Sequence, residues 1–262
     1  MAFNKNSSTF TFTFATIMVV IVGTILAVVS MALKPQQQAN EANKKRMDIL
    51  KSVGIESTSS DAAEIFSKII VERTSFDNKG NIIKQMDGAI DPTDKTDPFN
   101  IDVKKDYKNN TKKVLKKNKG DREACNLALS NIEMNYPIYK ANKNDTILYI
   151  IPCAGTGLWG PIWGFIALED DLETIYGTAF DHQGETPGLG APIKEGEFQA
   201  KFKNKTIDLQ GEKAFSVLKS GVPDGPHSIQ GITGGTITSR GVGEMVDRTI
   251  TMYKMNFDKL RK

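Results

Sequence analysis

The chain has 262 residues, with 34 Lys and Arg against 31 Asp and Glu, a net charge of +3 and an apolar share of 39%. This composition excludes a disordered tail, and the near-balanced charge argues against a nucleic-acid-binding protein. Two cysteines, Cys125 and Cys153, lie 28 residues apart without a CxxC pair, which disfavours zinc, iron–sulfur and thioredoxin-like sites. A single disulfide is the alternative to the two buried thiols that we expect.

The first predicted element is a transmembrane helix over residues 10–33, which contain no charged side chain. At about 1.5 Å per residue this stretch spans roughly 36 Å, enough to cross a bilayer. A cleavable signal peptide is the alternative, with Lys5 as its basic region and Ser30-Met31-Ala32 as a cleavage site. We favour a retained anchor because the apolar core of a signal peptide is usually only about 7 to 15 residues long.

The side of the membrane is ambiguous from charge alone. Lys5 precedes the span and most nearby basic residues follow it, which favours a cytoplasmic location for the large domain. That rule is weak where one flank is a long domain.

The next elements have mixed character. We expect a helical stalk over residues 34–54, a core-facing helix capped by Asp61 and Glu64, a β-hairpin around residues 77–81 and an irregular excursion over residues 87–106. Eight lysines follow between Lys104 and Lys119. Because acidic residues flank this run and only Tyr107 offers an aromatic platform, we expect a solvated helix face rather than a site for lipid or RNA.

From residue 145 onward, short β-branched and aromatic runs alternate with glycines. They predict strands over residues 146–151, 161–168, 174–178, 198–202 and 214–218 in a curved, mostly antiparallel sheet. A helix over residues 241–260, with Val242, Val246, Ile250, Tyr253 and Phe257 on one face, closes the domain. The predicted fold class is therefore α+β.

A glycine-rich loop, Gly231-Ile232-Thr233-Gly234-Gly235-Thr236-Ile237-Thr238-Ser239, precedes this helix. Thr238 or Ser239 can cap the helix, and the positive end of the helix dipole favours an anion, most simply a phosphate. Arg240 can add a charge-assisted contact. A plain capped turn is the alternative. The loop is not a Walker motif, because no Gly-Lys-Ser/Thr triplet is present.

The segment from Thr233 to Ser239 resembles the Ser/Thr-Gly-Ala-Thr-x-x-Ser/Thr motif of membrane-anchored flavoproteins. In that family the threonine after the Gly-Ala pair carries FMN through a phosphoester bond, which implies covalent FMN on Thr236. Gly235 replaces the usual alanine, and Gln230 stands where the flavin-attaching enzyme normally meets an aspartate. The resemblance makes Thr233, Gly234, Gly235, Thr238 and Ser239 the neighbours of the attachment site.

Two further blocks are similar to the same family. The stretch Glu185-Thr186-Pro187-Gly188-Leu189-Gly190 matches its Glu-Thr-Pro-Gly-Leu-Gly motif, and Gly157-Leu158-Trp159-Gly160 matches a third block. The resemblance implies polar contacts to the flavin ring from Glu185 and Thr186 and apolar contacts from Leu189, Leu158 and Trp159. Lys219 is a further candidate near the polar edge of the ring.

Nearly the whole chain resembles the NqrC family, which belongs to the sodium-translocating NADH:quinone oxidoreductase, and the RnfG family of the Rnf complex shares the flavin motifs. The long insert before the flavin domain favours the NqrC family. The resemblance implies a single-pass protein of the bacterial inner membrane whose soluble domain lies on the periplasmic side. It also implies subunits A, B, D, E and F of the oxidoreductase as partners, a flavin transferase for maturation, and no role for nucleic acid.

The implied organisation is a cytoplasmic tail at residues 1–9, the transmembrane helix at 10–33, the stalk at 34–54, an N-terminal part with the insert at 55–144 and the FMN-binding domain at 145–262. We expect an electron carrier with no catalytic residue and no metal site of its own. The alternative from another class is a membrane-anchored ligand-binding or sensor domain that holds a phosphate-bearing molecule reversibly. A zinc site at His182 and Glu185 and a hydrolase built on Ser239, His182 and Asp181 are both disfavoured.

Overall fold

The computed structural model describes residues 7–261, so most of the predicted tail at residues 1–9 lies outside the described residues. The first element, α1 (Ser8–Ser52), is a continuous helix of 45 residues that includes the predicted span, Pro35 and most of the predicted stalk. Within residues 7–261, α1 is the helix long and apolar enough to cross a membrane, with a mean hydropathy of 2.6 over its most apolar window.

The chain divides into two compact units, one ending at Lys45 and one beginning at Arg46. In the second unit, the last turns of α1 and the residue that follows contribute fully buried side chains from Ile49, Leu50 and Val53. These residues belong to the buried core of the second unit. The part of the predicted stalk that follows Lys45 is therefore integral to the globular fold.

A six-stranded antiparallel sheet forms the centre of the second unit, in the order β2-β1-β3-β4-β5-β6. Its strands are β1 (Ile70–Phe76), β2 (Ile82–Met86), β3 (Tyr136–Lys143), β4 (Thr146–Thr156), β5 (Pro161–Leu168) and β6 (Ile175–His182). A separate parallel pair joins β7 (Ser216–Leu218) to β8 (Ser228–Gln230). The predicted α+β class and the hairpin at residues 77–81 are confirmed.

Six further α-helices follow α1 in the described residues. They are α2 (Ala62–Ile69), α3 (Val103–Asp106), α4 (Lys112–Lys117), α5 (Arg122–Ser130), α6 (Gly196–Ala200) and α7 (Thr236–Leu260). A π-helical turn, Tyr107–Thr111, joins α3 to α4. The lysine-rich run is therefore a helix with a π-helical turn in its middle rather than one regular α-helix.

Helix α7 covers the sheet with the apolar face predicted from the sequence. Val242, Val246, Ile250, Tyr253 and Phe257 are all buried in the main core. Helix and sheet approach closely, because a Cβ on Gly241 would lie 2.4 Å from the carbonyl oxygen of Thr156 at the end of β4. This contact fixes the start of α7 beside the loop that follows β4.

Two local predictions are wrong. Residues 198–202 are not a strand: α6 ends at Ala200, and the rings of Phe198 and Phe202 pack 5.6 Å apart. The carboxylate of Asp61 does not cap α2 but accepts the N–H of Thr58, and Glu64 pairs with Lys68. Tertiary packing and alternative local hydrogen bonds override the strand and capping patterns at these positions.

A buried ion pair holds the irregular excursion on the sheet. Arg73 of β1 donates to both carboxylate oxygens of Asp97 at 3.1 and 2.9 Å, and to the carbonyl of Gly88 at 2.9 Å. Both side chains are at most 1% exposed. Because the guanidinium fork and the carboxylate match each other, the pair satisfies two charges that water cannot reach.

Both cysteines are free and buried, as expected. Burial raises the pKa of the Cys153 thiol well above its ordinary value. A protonated buried thiol is a poor nucleophile and behaves as an apolar core residue.

Replacing Asp97 with alanine should lower the free energy of unfolding by about 3–5 kcal/mol, because Arg73 would remain buried without its counter-charge. Chemical denaturation of the detergent-solubilised chain measures this change. Glu64→Gln, which disrupts the exposed pair with Lys68, is the control and should leave the unfolding midpoint in place. Equal midpoints for the two variants would contradict the role assigned to Asp97.

Candidate cofactor-binding site

Three chain segments converge at the amino terminus of α7. They are the loop after β4 at residues 157–160, the loop after β6 at residues 183–190 and the turn that starts α7. Between them lies a cleft of about 210 Å³, lined by Leu158, Glu185, Thr186, Leu189, Gly190, Gly234, Gly235, Thr236, Ile237 and Thr238. The three sequence blocks singled out above therefore meet in space.

Helix α7 begins at Thr236, five residues before the predicted start. Its N-cap is Gly235, and no side chain caps the helix. The prediction that Thr238 or Ser239 caps α7 is wrong, because the Thr238 hydroxyl donates to Glu185 and the Ser239 hydroxyl accepts the N–H of Ile232. The first amides of α7 thus keep the positive end of the helix available to an anion.

The Thr236 side chain is exposed at this helix end and lines the cleft. As the first helical residue, it lies where the dipole favours negative charge. This position suits a hydroxyl that carries a phosphate ester, since the phosphate would face the helix amides.

The carboxylate of Glu185 holds the three segments together. One oxygen accepts the backbone N–H of Trp159 at 2.9 Å, and the other accepts the Thr238 hydroxyl at 2.5 Å. Glu185 is only 5% exposed. Both oxygens therefore accept hydrogen bonds from the protein, and the buried side chain forms part of the cleft lining.

His182 supports the same arrangement from the end of β6. Its Nδ1 atom accepts the backbone N–H of Glu185 at 3.1 Å, so the neutral ring carries its proton on Nε2. The Nε2 atom is buried and has no hydrogen-bond partner in the part of the chain that the structure describes. His182 therefore positions the Glu185 backbone.

The apolar residues of the site are unusually exposed. Trp159 is 70% exposed, Ile237 55% and Leu158 48%. Such side chains are ordinarily covered by a ligand or a partner when they cluster at a cleft. Ile237 also lines the cleft, although the sequence motif predicts only its neighbours as site residues. Gly190, to which the sequence assigns no role, lines the cleft as well.

Six of the residues singled out in the sequence are absent from the cleft lining, namely Trp159, Gln230, Thr233, Ser239, Lys219 and Arg240. The Thr233 hydroxyl bonds to Ser220 at 2.7 Å, and the exposed Lys219 is absent from the lining. Arg240 is exposed and lies outside the lining. Gln230 donates its backbone N–H to Asp224 at 2.6 Å.

Gly235 permits a close approach between two segments of the site. A Cβ at this position would lie 2.2 Å from the carbonyl oxygen of Leu189, although its φ of −101° suits any residue. Gly235→Ala should therefore displace the 186–190 loop and lower the free energy of unfolding by about 1–3 kcal/mol. Thermal unfolding of the purified chain measures the loss.

Gly184→Ala is the matched control, because a Cβ on Gly184 meets nothing within 4 Å. A destabilisation shared equally by both variants would show that the Leu189 contact is not its cause.

Comparison with known proteins agrees with this geometry. A model of the FMN-binding domain matches residues 157–251, which include all three segments of the cleft. The chain is 29% identical to NqrC of the Na⁺-translocating NADH-quinone reductase of Vibrio campbellii, over 83% of this chain and 81% of that protein. It is 27% identical to NqrC of Haemophilus ducreyi, over 92% and 88%.

A solved structure, that of NqrC from Parabacteroides distasonis, superposes with a TM-score of 0.66 at 34% identity. The superposition covers 86% of this chain and 96% of the other. The resemblance expected from the three sequence blocks is confirmed, and this chain belongs to the NqrC family of the Na⁺-translocating NADH-quinone reductase.

Proposed function

We propose that this chain is a membrane-anchored flavoprotein that relays single electrons within the Na⁺-translocating NADH-quinone reductase, with FMN bound covalently to Thr236. The observation that carries this proposal is the exposed Thr236 side chain at the uncapped start of α7, inside the region that matches an FMN-binding domain. The relatives named above are components of that reductase.

The residues present fit a phosphoester on Thr236. The amides of the first turn of α7 have no capping side chain, and a phosphate joined to Thr236 would lie next to them. Of the two threonines in the first turn of α7, Thr238 already donates its hydroxyl to Glu185, whereas the exposed Thr236 lines the cleft. Arg240 lies on the solvent side and can screen the remaining charge.

The walls of the cleft also fit a flavin ring. Leu158 and Leu189 provide apolar surface, and Thr186 provides a polar group at the lining. A cleft of about 210 Å³ is smaller than the pockets of roughly 300–1,000 Å³ that enclose a ligand fully. A flavin held here would keep one edge near the surface, where a redox centre of a neighbouring protein of the complex can approach.

When bound, FMN supplies the electron-transfer chemistry. The chain's own residues bind the phosphate end, exclude water from one face of the ring and hold the cleft rigid through Glu185. No substrate is transformed by the side chains of this chain.

The proposed location rests on the anchor and on the maturation step that the family resemblance implies. Helix α1 would cross the bacterial inner membrane, and the second unit would lie on the periplasmic side, where a flavin transferase attaches FMN. Subunits A, B, D, E and F of the reductase are the proposed partners. Gln230 stands at a position that the transferase would contact, and its side chain is partly exposed.

Thr236→Val should abolish covalent flavin while leaving the fold intact, because it removes the hydroxyl and keeps the side-chain shape. The measurement is yellow-green fluorescence of the denatured band on a gel, together with the mass of the intact chain made in a host that contains the transferase. Thr206→Val is the control and should keep both signals, because Thr206 lies outside both the attachment motif and the cleft lining. Fluorescence that persists in Thr236→Val would refute the attachment site.

The same gel distinguishes the electron carrier from the alternative function, a sensor domain. A sensor domain that binds its ligand reversibly would lose the ligand on unfolding and give a dark band with the unmodified mass. A wild-type band that is dark after maturation in the native host would therefore favour the sensor domain.

Glu185→Leu should shift the midpoint potential of the flavin without releasing it. The change removes the acceptor of the Trp159 N–H and of the Thr238 hydroxyl, so the loops around the ring move while the ester on Thr236 remains. Redox titration of the purified chain measures the shift. An unchanged midpoint potential would show that Glu185 does not influence the flavin.

A further inference from the structure

The proposed function leaves one surface of the second unit without a role, the segment of residues 104–119, named here the lysine segment. It contains eight lysines and a single acidic residue, Asp106, so it carries a net charge of +7. Because the whole chain carries +3, the other 246 residues together carry −4. The net positive charge of the protein is therefore concentrated in these sixteen residues.

The acidic neighbours do not neutralise the lysines. Asp102 caps α3 by accepting the N–H of Lys105 at 3.0 Å, and Asp121 caps α5 by accepting the N–H of Ala124 at 2.8 Å. Asp106 is partly buried, and this burial raises the pKa of its carboxyl. Across residues 7–261, no carboxylate forms an ion pair with a lysine of the segment. The flanking acids therefore do not neutralise the run, and this removes the reason for the expectation from the sequence that it is only a solvated face.

The backbone of the lysine segment is fixed to the domain. Tyr107 is buried and its hydroxyl bonds to that of Thr156 at 3.0 Å, while Thr111 is only 2% exposed. The ammonium of Lys104 lies 4.5 Å from the ring centroid of Trp163. The buried side of the segment is therefore packed, and its eight lysines are all exposed.

On α4 the lysines share one face. Successive residues of a helix are about 100° apart around its axis, so residues 112, 113, 116 and 117 lie within an arc of about 140°. Like charges four residues apart, as in Lys112–Lys116 and Lys113–Lys117, repel each other and weaken a helix. An anionic surface opposite this face would relieve the repulsion.

The residue type favours lipid over protein or nucleic acid. The segment contains no arginine, whereas protein interfaces are enriched in arginine and depleted in lysine. Its single aromatic residue, Tyr107, is buried and cannot stack on a base. Lysine ammonium groups are compact charges on flexible stems, which suit a mobile layer of headgroups. Helix α1, long and apolar enough to cross a bilayer, gives the domain a high local concentration of such headgroups.

We propose that the lysine segment binds the anionic phospholipid headgroups of the membrane that holds α1. The attraction is electrostatic and spread over many lysines, so it depends on the anionic lipid fraction and weakens with salt.

Lysine footprinting of the full chain in lipid nanodiscs tests this proposal. The chain is inserted into discs of phosphatidylcholine alone or with phosphatidylglycerol, treated with an amine-acylating reagent and read by mass spectrometry. The lysines of the segment should react at least about threefold more slowly in the anionic discs, and this protection should vanish at roughly 0.5 M salt. Exposed lysines elsewhere serve as internal references, namely Lys95, Lys203, Lys213 and Lys259.

A fourfold variant tests whether the protection depends on the lysines of this segment or only on the total charge of the chain. Combining Lys112→Gln, Lys113→Gln, Lys116→Gln and Lys117→Gln should remove the protection of the lysines that remain in the segment. The matched variant changes the four reference lysines to glutamine and should keep the protection.

Equal reactivity in neutral and anionic discs would overturn the proposal. Protection that arises in neutral discs only when the other proteins of the complex are added would also overturn it and would assign the lysine segment to an acidic protein surface. The readout involves no flavin, so failure of this proposal and failure of the electron-carrier proposal are distinguishable.

Discussion

The candidate site depends on one buried carboxylate. Glu185 joins the loop after β4 and the first turn of α7 by accepting the Trp159 N–H and the Thr238 hydroxyl. Its own backbone N–H is bonded to His182 at the end of β6. Because a buried acceptor that loses its donors is costly, these hydrogen bonds fix the relative positions of segments that lie far apart in the chain. Glu185 thus stabilises the structure of the cleft, and it would influence a bound ring through that structure.

The close approaches around this carboxylate set the shape of the cleft. A Cβ on Gly190 would lie 2.4 Å from a Glu185 oxygen, and one on Gly235 would lie 2.2 Å from the carbonyl of Leu189. Small residues are therefore required for steric reasons where the segments touch. The same compactness leaves Thr236 at the rim, since the space beneath it is filled by protein.

The long apolar helix and five strands of the main sheet could be predicted from the sequence because each depends on a local pattern. The central strand β3 was missed, and the three site blocks rest on the resemblance to a family rather than on local pattern. Hydropathy alone identified α1, and the 3.6-residue period identified the buried face of α7. Residues 198–202 were misassigned because two phenylalanines four residues apart also fit a strand pattern, and only their packing against the core decides for a helix. The start of α7 was placed late, since Thr238 and Ser239 resemble caps but bond to distant groups. Long-range hydrogen bonds of this kind leave no local signal.

The exposure of Trp159 has a practical consequence for work on this protein. Its indole is 70% exposed, while its backbone is held at the cleft by Glu185, and the other tryptophan, Trp163, lies beneath Lys104. With FMN bound in the cleft as proposed, energy transfer to the flavin would quench the emission of this indole, and an empty cleft would leave it bright. The Trp159 indole would then report cofactor loading without a label.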